Sequence, residues 1–470
     1  MVFDKFLVDE LSVIAIYNQL KDFFKNERIF LFESVINNTD GNYSFIVIGE
    51  KERIKYKDYK TYFFNGVKEE VLDINPFSFL KEYYKKIDKE KYRKLTKELS
   101  IGFVDGFIGY IGYDMVKIFE PVLQPVMDKL KDETDIPDLY MIRPKIVIGY
   151  SHKSSELTVI INDEEYKHTL AEIKNKITST YIHHPLKPVK IRKEPEFVFS
   201  REKFFDMVKN AKENIKAGDI FQIVLSNRLK VKADIDRLSF YRKLRSKNPS
   251  PYLYYLDIDE FAIIGSSPEV MVRLTDGAIL LRPIAGTRKR GENLIRDIEL
   301  EKDMINDPKE VAEHIMLVDL GRNDVGRVSK AGSVKVEELM RVERYSHVMH
   351  MVSDVVGELD EKYDMFDLFK ATFTAGTMTG APKIKAMELI AKYEGLKRGY
   401  YAGSIGYFGF DGNMDSAITI RTALVKNDEI IFQAGAGIVA DSKPELEYKE
   451  VNNKLGALVA TLKELENGGN

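Results

Sequence analysis

Glu310 and Glu313 stand three residues apart, as do Glu447 and Glu450, with Lys454 four residues further on. On a helix, positions three and four apart share a face, so each pair sets two carboxylates side by side. Like charges at that spacing repel slightly, which leaves two readings. Each pair is a solvated helix face, or each supplies one ligand to a metal site in which Glu313 and Glu450 hold one Mg²⁺. Magnesium prefers hard oxygen ligands, keeps several waters, and usually takes one or two protein carboxylates plus substrate oxygens. A two-Glu site completed by a substrate carboxylate fits that habit. Glu310 has a second explanation, as a capping residue.

The elements that must carry these side chains are legible. Asp307-Pro308-Lys309-Glu310 offers an N-cap Asp, Pro at the first helical position and Glu at N3. This helix is expected to run to Leu320 and stop at Gly321. Ser442-Lys443-Pro444-Glu445 offers a second capping box, leading into a helix with the apolar stripe Val451, Leu455, Leu458 and Leu462. At about 100° per residue, Glu447, Glu450 and Lys454 cluster on the flank of that stripe. Further helical patterns lie near 201–217 and 382–393. Apolar or alternating runs predict strands at Ser44–Ile48, Phe107–Tyr113, Lys145–Tyr150, Phe261–Gly265, Val348–Val356, Gly403–Phe410 and Ile430–Ala434. Strands arrive in clusters, not in strict βαβ alternation, which indicates an α+β fold with mostly antiparallel sheets.

The chain has 470 residues, enough for two domains. Prolines from Pro185 to Pro195 mark the expected boundary, giving residues 1–190 and 195–465. Lys+Arg number 71 against 74 Asp+Glu, a net charge of −3, so no long-range charge draws the chain to nucleic acid or an anionic membrane. With no cysteine, thiolate metal sites and a cysteine nucleophile are excluded. No run approaches the roughly 18 apolar residues of a membrane span, and the N-terminus lacks a signal-peptide layout. A cytoplasmic protein is the expectation.

Several further segments carry a resemblance together. They are Gly218-Asp219-Ile220-Phe221-Gln222, Asn248-Pro249-Ser250-Pro251-Tyr252, Gly265-Ser266-Ser267-Pro268-Glu269 and Arg282-Pro283-Ile284-Ala285-Gly286-Thr287-Arg288. Downstream follow Glu313–Asp324, Ser346–His350, Ala375–Lys383, Ile420–Ala423, Gly435–Val439 and Asn453-Lys454. In this order and spacing the chain resembles the chorismate-binding enzymes, and among them the large subunits of anthranilate synthases, most strongly over 200–460. The resemblance implies two packed, mostly antiparallel sheets with outer helices and the active site between the sheets. It also implies a reaction: chorismate and ammonia give aminodeoxyisochorismate, which loses pyruvate to give anthranilate.

By that resemblance Glu313 and Glu450 bind Mg²⁺, with Glu310 and Glu447 as supporting or alternative ligands. Arg421 and Tyr401 would hold the enolpyruvyl carboxylate, since arginine presents a planar fork to such a group. Gly435-Ala436-Gly437 would bring backbone N–H groups close to a carboxylate. Gly286, Thr287 and Thr377 match substrate-lining positions, and Lys454 a lysine facing the site. Glu269 matches the general acid that protonates the departing C4 hydroxyl, a task suited to a carboxyl whose pKa burial raises. His350 is expected to support pyruvate release. His347 and His350 point to opposite faces of an extended strand, and the family match selects His350.

Two positions separate branches of the family. Relatives that add water carry Lys where Gln222 stands, and glutamine cannot act as that base, so ammonia is the expected nucleophile. Aminodeoxychorismate synthases typically carry Lys at Ala285. Leu31-Phe32-Glu33-Ser34 resembles the family's tryptophan-inhibition motif, which works with Asn248, Pro249, Ser250, Pro251 and Tyr252; Glu33 would pair with the inhibitor's ammonium. Ammonia supply from glutamine in this family uses a cysteine nucleophile, so the resemblance implies a separate glutamine amidotransferase subunit.

Overall fold

The computed structural model describes residues 1–34, 43–345 and 348–468. Ser346 and His347, from the Ser346–His350 motif, lie outside the described residues.

Alternation along strands builds two cores from one sheet. In strand Phe261–Ser267, Phe261 and Ile263 enter one buried cluster while Ala262 and Ile264 enter another, because successive side chains point to opposite faces. Strand Tyr252–Asp257 divides the same way, Tyr254 and Leu256 against Leu253 and Tyr255. The first face meets a second leaf of strands, contributing Phe107, Val272 and Ile405. The other face is covered by helices Val13–Phe23, Arg201–Lys216, Arg237–Lys247 and Pro444–Glu466, through residues such as Leu20, Phe204, Leu244 and Leu458.

The ladders are antiparallel. One leaf runs Gln222–Asp234, Glu429–Ile438, Thr422–Lys426, Phe261–Ser267, Tyr252–Asp257, Ile29–Glu33. The other runs Gly106–Ile111, Ser404–Gly409, Met414–Ile418, Val270–Thr275, Ala278–Leu281, Val348–Glu358. The two expected sheets are therefore leaves of one continuous ladder, joined by the long strands Tyr43–Lys57 and Leu139–Ser151. The register of that pair slips between Glu50 and Glu52, and an extra residue of this kind bends a strand. Ile29–Glu33 pairs with Tyr252–Asp257, and Gly106–Ile111 with Ser404–Gly409. A division near 185–195 thus separates chain segments, while the hydrogen-bonded layers run across it.

Two helix readings need correction. The helix opening at Asp307 runs Pro308–Gly326, straight through Gly321. That glycine faces the sheet, where a Cβ would lie 2.9 Å from Leu281 Cδ2. Glycine costs a helix about 1 kcal/mol relative to alanine, and here it permits close approach instead of ending the helix. Asp307 caps as expected, accepting from the N–H groups of Lys309 and Glu310, but the Glu310 carboxylate turns to Arg288 Nη1 at 2.8 Å. At the second helix Ser442 is not the cap. Lys443 holds that position, and the Ser442 hydroxyl accepts from Val439 N–H at 3.0 Å. Among the described residues no helix is long and apolar enough to cross a membrane.

Candidate active site

Glu269 sits between strands Phe261–Ser267 and Val270–Thr275, with its carbonyl fixed by Ile418 N–H at 3.0 Å. Its carboxyl is buried, and burial pushes the pKa up to about 7, against the pull of the Thr377 hydrogen bond and the Lys454 charge. Thr377 Oγ1 donates to Glu269 Oε1 at 2.7 Å. Thr377 rides on the short helix Gly376–Thr379, which docks closely because Gly376 has no Cβ; one there would lie 2.1 Å from Leu320 Cδ2. A pocket lined by Glu269, Arg282, Leu320, Asp324, Gly376 and Thr377 opens beside the acid.

The carboxylates of the two long helices feel one another's charge. Burial raises the Glu313 pKa, Gln222 opposes this, and the negative charges of Glu310 and Glu450 add to it. Gln222 Nε2 donates to Glu313 Oε1 at 2.8 Å. Burial also raises Glu447, which Ser442 holds by a hydrogen bond and Glu450 repels. Glu450 pairs with Lys454 at 2.8 Å. Glu310 belongs to a cluster in which Arg288 also reaches Asp303 and Asp307. Among the described residues, no three acidic or histidine side chains form a ready-made metal cage. What is present is a hard-oxygen pair, Glu313 and Glu450, whose mutual repulsion a divalent cation would relieve. Two carboxylates with the remaining positions left to water and ligand suit magnesium.

Arg421 lies at the other end. Burial lowers its pKa, opposed by Tyr401, and among the described residues its guanidinium has no hydrogen-bond or ion-pair partner. Its φ of 52° is left-handed, a conformation that costs about 1–3 kcal/mol in a non-glycine residue and gathers at functional sites. Glycines let the backbone close on both ends. A Cβ on Gly435 would lie 3.0 Å from Tyr401 Oη, and one on Gly437 would lie 2.6 Å from Gln222 Nε2 and 3.5 Å from Glu313 Oε1. Lys454 ties the two ends together, since its Nζ also donates to the Gly435 carbonyl at 2.9 Å.

His350 completes the ring of groups. Its Nδ1 lies 3.0 Å from the Gly286 carbonyl and 3.1 Å from Thr287 Oγ1. A carbonyl only accepts, so Nδ1 carries the proton and Nε2 keeps a lone pair. Burial lowers the His350 pKa, and the Arg421 and Lys454 charges lower it further, while the Gly286 bond opposes them. The register shifts between Ala285 and Thr287, with Gly286 at φ 65° as the extra residue, a bulge that only glycine makes cheaply. This bulge puts the Gly286 carbonyl on the imidazole.

The family described as "chorismate binding enzyme" matches residues 28–460. The chain belongs to the chorismate-binding enzymes. "Anthranilate synthase component 1" from Aquifex aeolicus is 43% identical, covering 98% of this chain and 94% of that protein. The protein of the same name from Acetivibrio thermocellus is 40% identical, covering 94% and 92%. The crystal structure of anthranilate synthase component I from Streptococcus pneumoniae TIGR4 superposes with a TM-score of 0.79 at 34% identity, covering 97% of this chain and 99% of that one. The menaquinone-specific isochorismate synthase from Escherichia coli shares the fold, with a TM-score of 0.72 at 18% identity over 98% and 94%.

In this chorismate-binding enzyme the Glu33 and Asn248–Tyr252 motifs lie on the neighbouring strands of the leaf, with Tyr252 opposite Ser267, two residues before the acid. Strand pairing brings the two motifs to each other, with Glu33 opposite Leu253. The Glu33 carboxylate is taken by Arg245, at 2.8 and 3.0 Å, and by the Tyr241 hydroxyl at 2.6 Å. Ser34 Oγ is buried with no partner among the described residues. The two regions connect through Ser266. Its hydroxyl donates to the Asn248 carbonyl and lies 2.9 Å from Ser250 Oγ, while its N–H donates to the Arg421 carbonyl at 3.2 Å. Tyr252 Oη donates to Asp415 at 2.8 Å.

Sequence reasoning missed two residues that bond to the site's framework, Arg288 and Arg398. Arginine defaults to the surface, so the sequence offered no signal for Arg398 beyond its place three residues before Tyr401.

Proposed function

We propose that this chain converts chorismate and ammonia into anthranilate and pyruvate through aminodeoxyisochorismate, as the first committed step of tryptophan synthesis. One observation carries the reading. A buried guanidinium with no partner among the described residues, Arg421, stands in the site with Glu313, whose carboxylate feels the negative charge of Glu450. An arginine fork recognises one carboxylate of a dianion, and Glu313 and Glu450 would hold a divalent cation that would supply positive charge to the second.

Glu313 and Glu450 would hold Mg²⁺, with Glu447 and Glu310 beside them. When bound, the metal supplies positive charge to the ring carboxylate. Arg421 and Tyr401 orient the enolpyruvyl carboxylate, aided by the close backbone at Gly435, Ala436 and Gly437. Gly286 and Thr287 border the ring. Glu269, kept in place by Thr377, protonates the C4 oxygen, which leaves as water while the nitrogen of ammonia bonds to the ring. Gln222 holds Glu313 and cannot deprotonate water. Lys454 links Glu450 to Gly435. In the second step a ring proton is removed, the C–O bond breaks and the group departs as enolpyruvate, which takes up a proton on its methylene carbon to give pyruvate; His350, with the lone pair on its Nε2, accepts the ring proton.

His350→Ala is expected to release aminodeoxyisochorismate, detected by chromatography and mass, with anthranilate formation slowed at least tenfold. Equal loss of both steps would remove His350 from the second one.

Ammonia is proposed to arrive from a glutamine amidotransferase subunit. The relatives are called component 1, and this chain has no cysteine to serve as the amidotransferase nucleophile. The Glu33–Ser34 and Asn248–Tyr252 region is proposed to bind tryptophan as an inhibitor, coupled to Arg421 through Ser266. Glu33→Gln keeps the size and the Tyr241 contact but loses the charge, and is expected to raise the tryptophan concentration for half inhibition at least tenfold. Unchanged sensitivity at normal uninhibited activity would count against Glu33.

The overall reading is tested with the purified chain, chorismate, ammonium and Mg²⁺. Blue-fluorescent anthranilate and pyruvate should form in equal amounts, and a chelator should stop both. Persistent aminodeoxychorismate without pyruvate would assign the chain to the folate branch instead.

A further inference from the structure

Arg398 is a buried group, bonded into the site's framework, that the reaction above does not use. It is 1% exposed, and Glu394, beside it, is 5% exposed. Helix Lys383–Glu394 ends at Gly395 in the left-handed conformation, and the chain turns back so that Arg398 meets the carboxylate four residues before it. Arg398 Nε donates to Glu394 Oε2 at 2.9 Å and Nη2 to Oε1 at 2.7 Å. Glu394 Oε1 also accepts from Ser226 N–H at 2.9 Å and from Ser226 Oγ at 2.8 Å.

The remaining donors of the guanidinium reach two separate parts of the active site. Nη1 donates to the Met378 carbonyl at 2.8 Å, one residue from Thr377, and Nη2 to the Val224 carbonyl at 2.8 Å, two residues from Gln222. The guanidinium also stands over the rings of Tyr113 and Tyr401, at 4.8 and 5.6 Å from their centroids. One planar cation therefore touches the helix of Thr377, the strand of Gln222 and the ring of Tyr401.

A buried ion pair is a weak source of net stability, because the desolvation of both ions offsets most of their attraction. Its geometric effect is different. Arginine's donors lie in a fixed fork, so two backbone carbonyls from non-adjacent segments are held at one separation. A lysine offers a single ammonium on a flexible stem and cannot span the same acceptors.

We infer that Arg398, locked by Glu394, is a positioning residue that sets Thr377 against Glu269 and Tyr401 against the anion end of the site. The inference rests on the proposed roles of Glu269, Thr377 and Tyr401 in chorismate turnover.

The test is a double-mutant cycle with Arg398→Lys and Thr377→Val, followed by chorismate consumption so that the rates do not depend on which product forms. Arg398→Lys is expected to lower kcat about 10–100-fold, and Thr377→Val about tenfold. If Arg398 acts by placing Thr377, removing Thr377 from the Arg398→Lys enzyme should cost less than threefold further, as groups acting as a unit are non-additive. Full multiplication of the two losses would overturn the inference. A merely structural role would lower the folded fraction and leave kcat per folded molecule near normal, so thermal unfolding is measured in parallel. Should Arg398→Lys not fold, Glu394→Gln replaces it in the same cycle. It keeps the volume and frees the fork by removing the charge, and the same loss of additivity is expected at smaller amplitude. Product identity is read separately. An unexpected product corrects the assigned reaction, and additivity in the cycle corrects the role of Arg398.

Discussion

Glu269→Gln is expected to lower turnover by roughly 100-fold or more, the usual scale of lost general acid catalysis. The amide keeps the shape of the side chain and its contact with Thr377, so folding and chorismate binding should persist. What it removes is the proton. Burial places the Glu269 pKa at about 7, above the ordinary carboxyl range. An acid catalyst acts in its protonated form, so the wild-type rate should hold below that value and fall as pH rises through it. A bound dianion adds nearby negative charge and moves the limb to higher pH. In Glu269→Gln the residual rate should lose this limb. Near-normal turnover, or an unchanged alkaline limb in the variant, would exclude Glu269 as the acid. Thr377→Val should shift the wild-type limb upward, because its hydrogen bond stabilises the carboxylate form and holds the pKa down.

The second large effect is expected at Arg421. Arg421→Met removes the guanidinium fork from the anion end, and a charge-assisted contact of this kind is worth about 2–4 kcal/mol. The kcat/KM for chorismate should fall roughly 100-fold, most of it in KM, which is the signature of binding lost equally from ground and transition states. Arg421→Lys should fall between, since a point charge replaces a bidentate fork. Thermal stability should move the opposite way. The wild-type guanidinium is buried and partnerless among the described residues, and burying an unpaired charge is costly. Arg421→Met should therefore unfold at the same temperature or a higher one, as followed by circular dichroism. Lost activity together with lost stability would mean that Arg421 holds the fold together and does not await an anion.

These two residues stand on different elements, and their meeting shows how the site is made. Glu269 and Arg421 were identified from short motifs 152 positions apart. Strand Phe261–Ser267 pairs with Thr422–Lys426, and the Ser266 N–H to Arg421 carbonyl bond closes the end of that ladder. The ladder delivers acid and clamp to the same edge. The same logic brings Gly437 to Gln222, since strands Gln222–Asp234 and Glu429–Ile438 pair with Val224 opposite Gly437.

The sequence by itself determined much that depends on near neighbours or on recognisable strings. The helix starts after Asp307 and near Pro444, the alternating strands, the absence of thiol chemistry and the order of the motifs are all written within a few residues of one another. Glutamates on one helix face are visible from spacing, but spacing left them as either a solvated face or a metal site, and only the resemblance favoured the second. Only the tertiary structure decided how far each signal reaches. Gly321 reads as a helix stop, yet it lies inside a helix because Leu281 of another strand needs the space. Glu310 reads as half of a capping box, yet Arg288 takes it. Two sheets become one ladder because Tyr43–Lys57 and Leu139–Ser151 are long enough to bend from one leaf into the other. Arg398 carries no local sign of burial at all. The physical reason is common to these cases. Propensities and caps are worth about a kilocalorie each, whereas close packing and buried charge-assisted hydrogen bonds are worth more, and those partners come from distant parts of the chain.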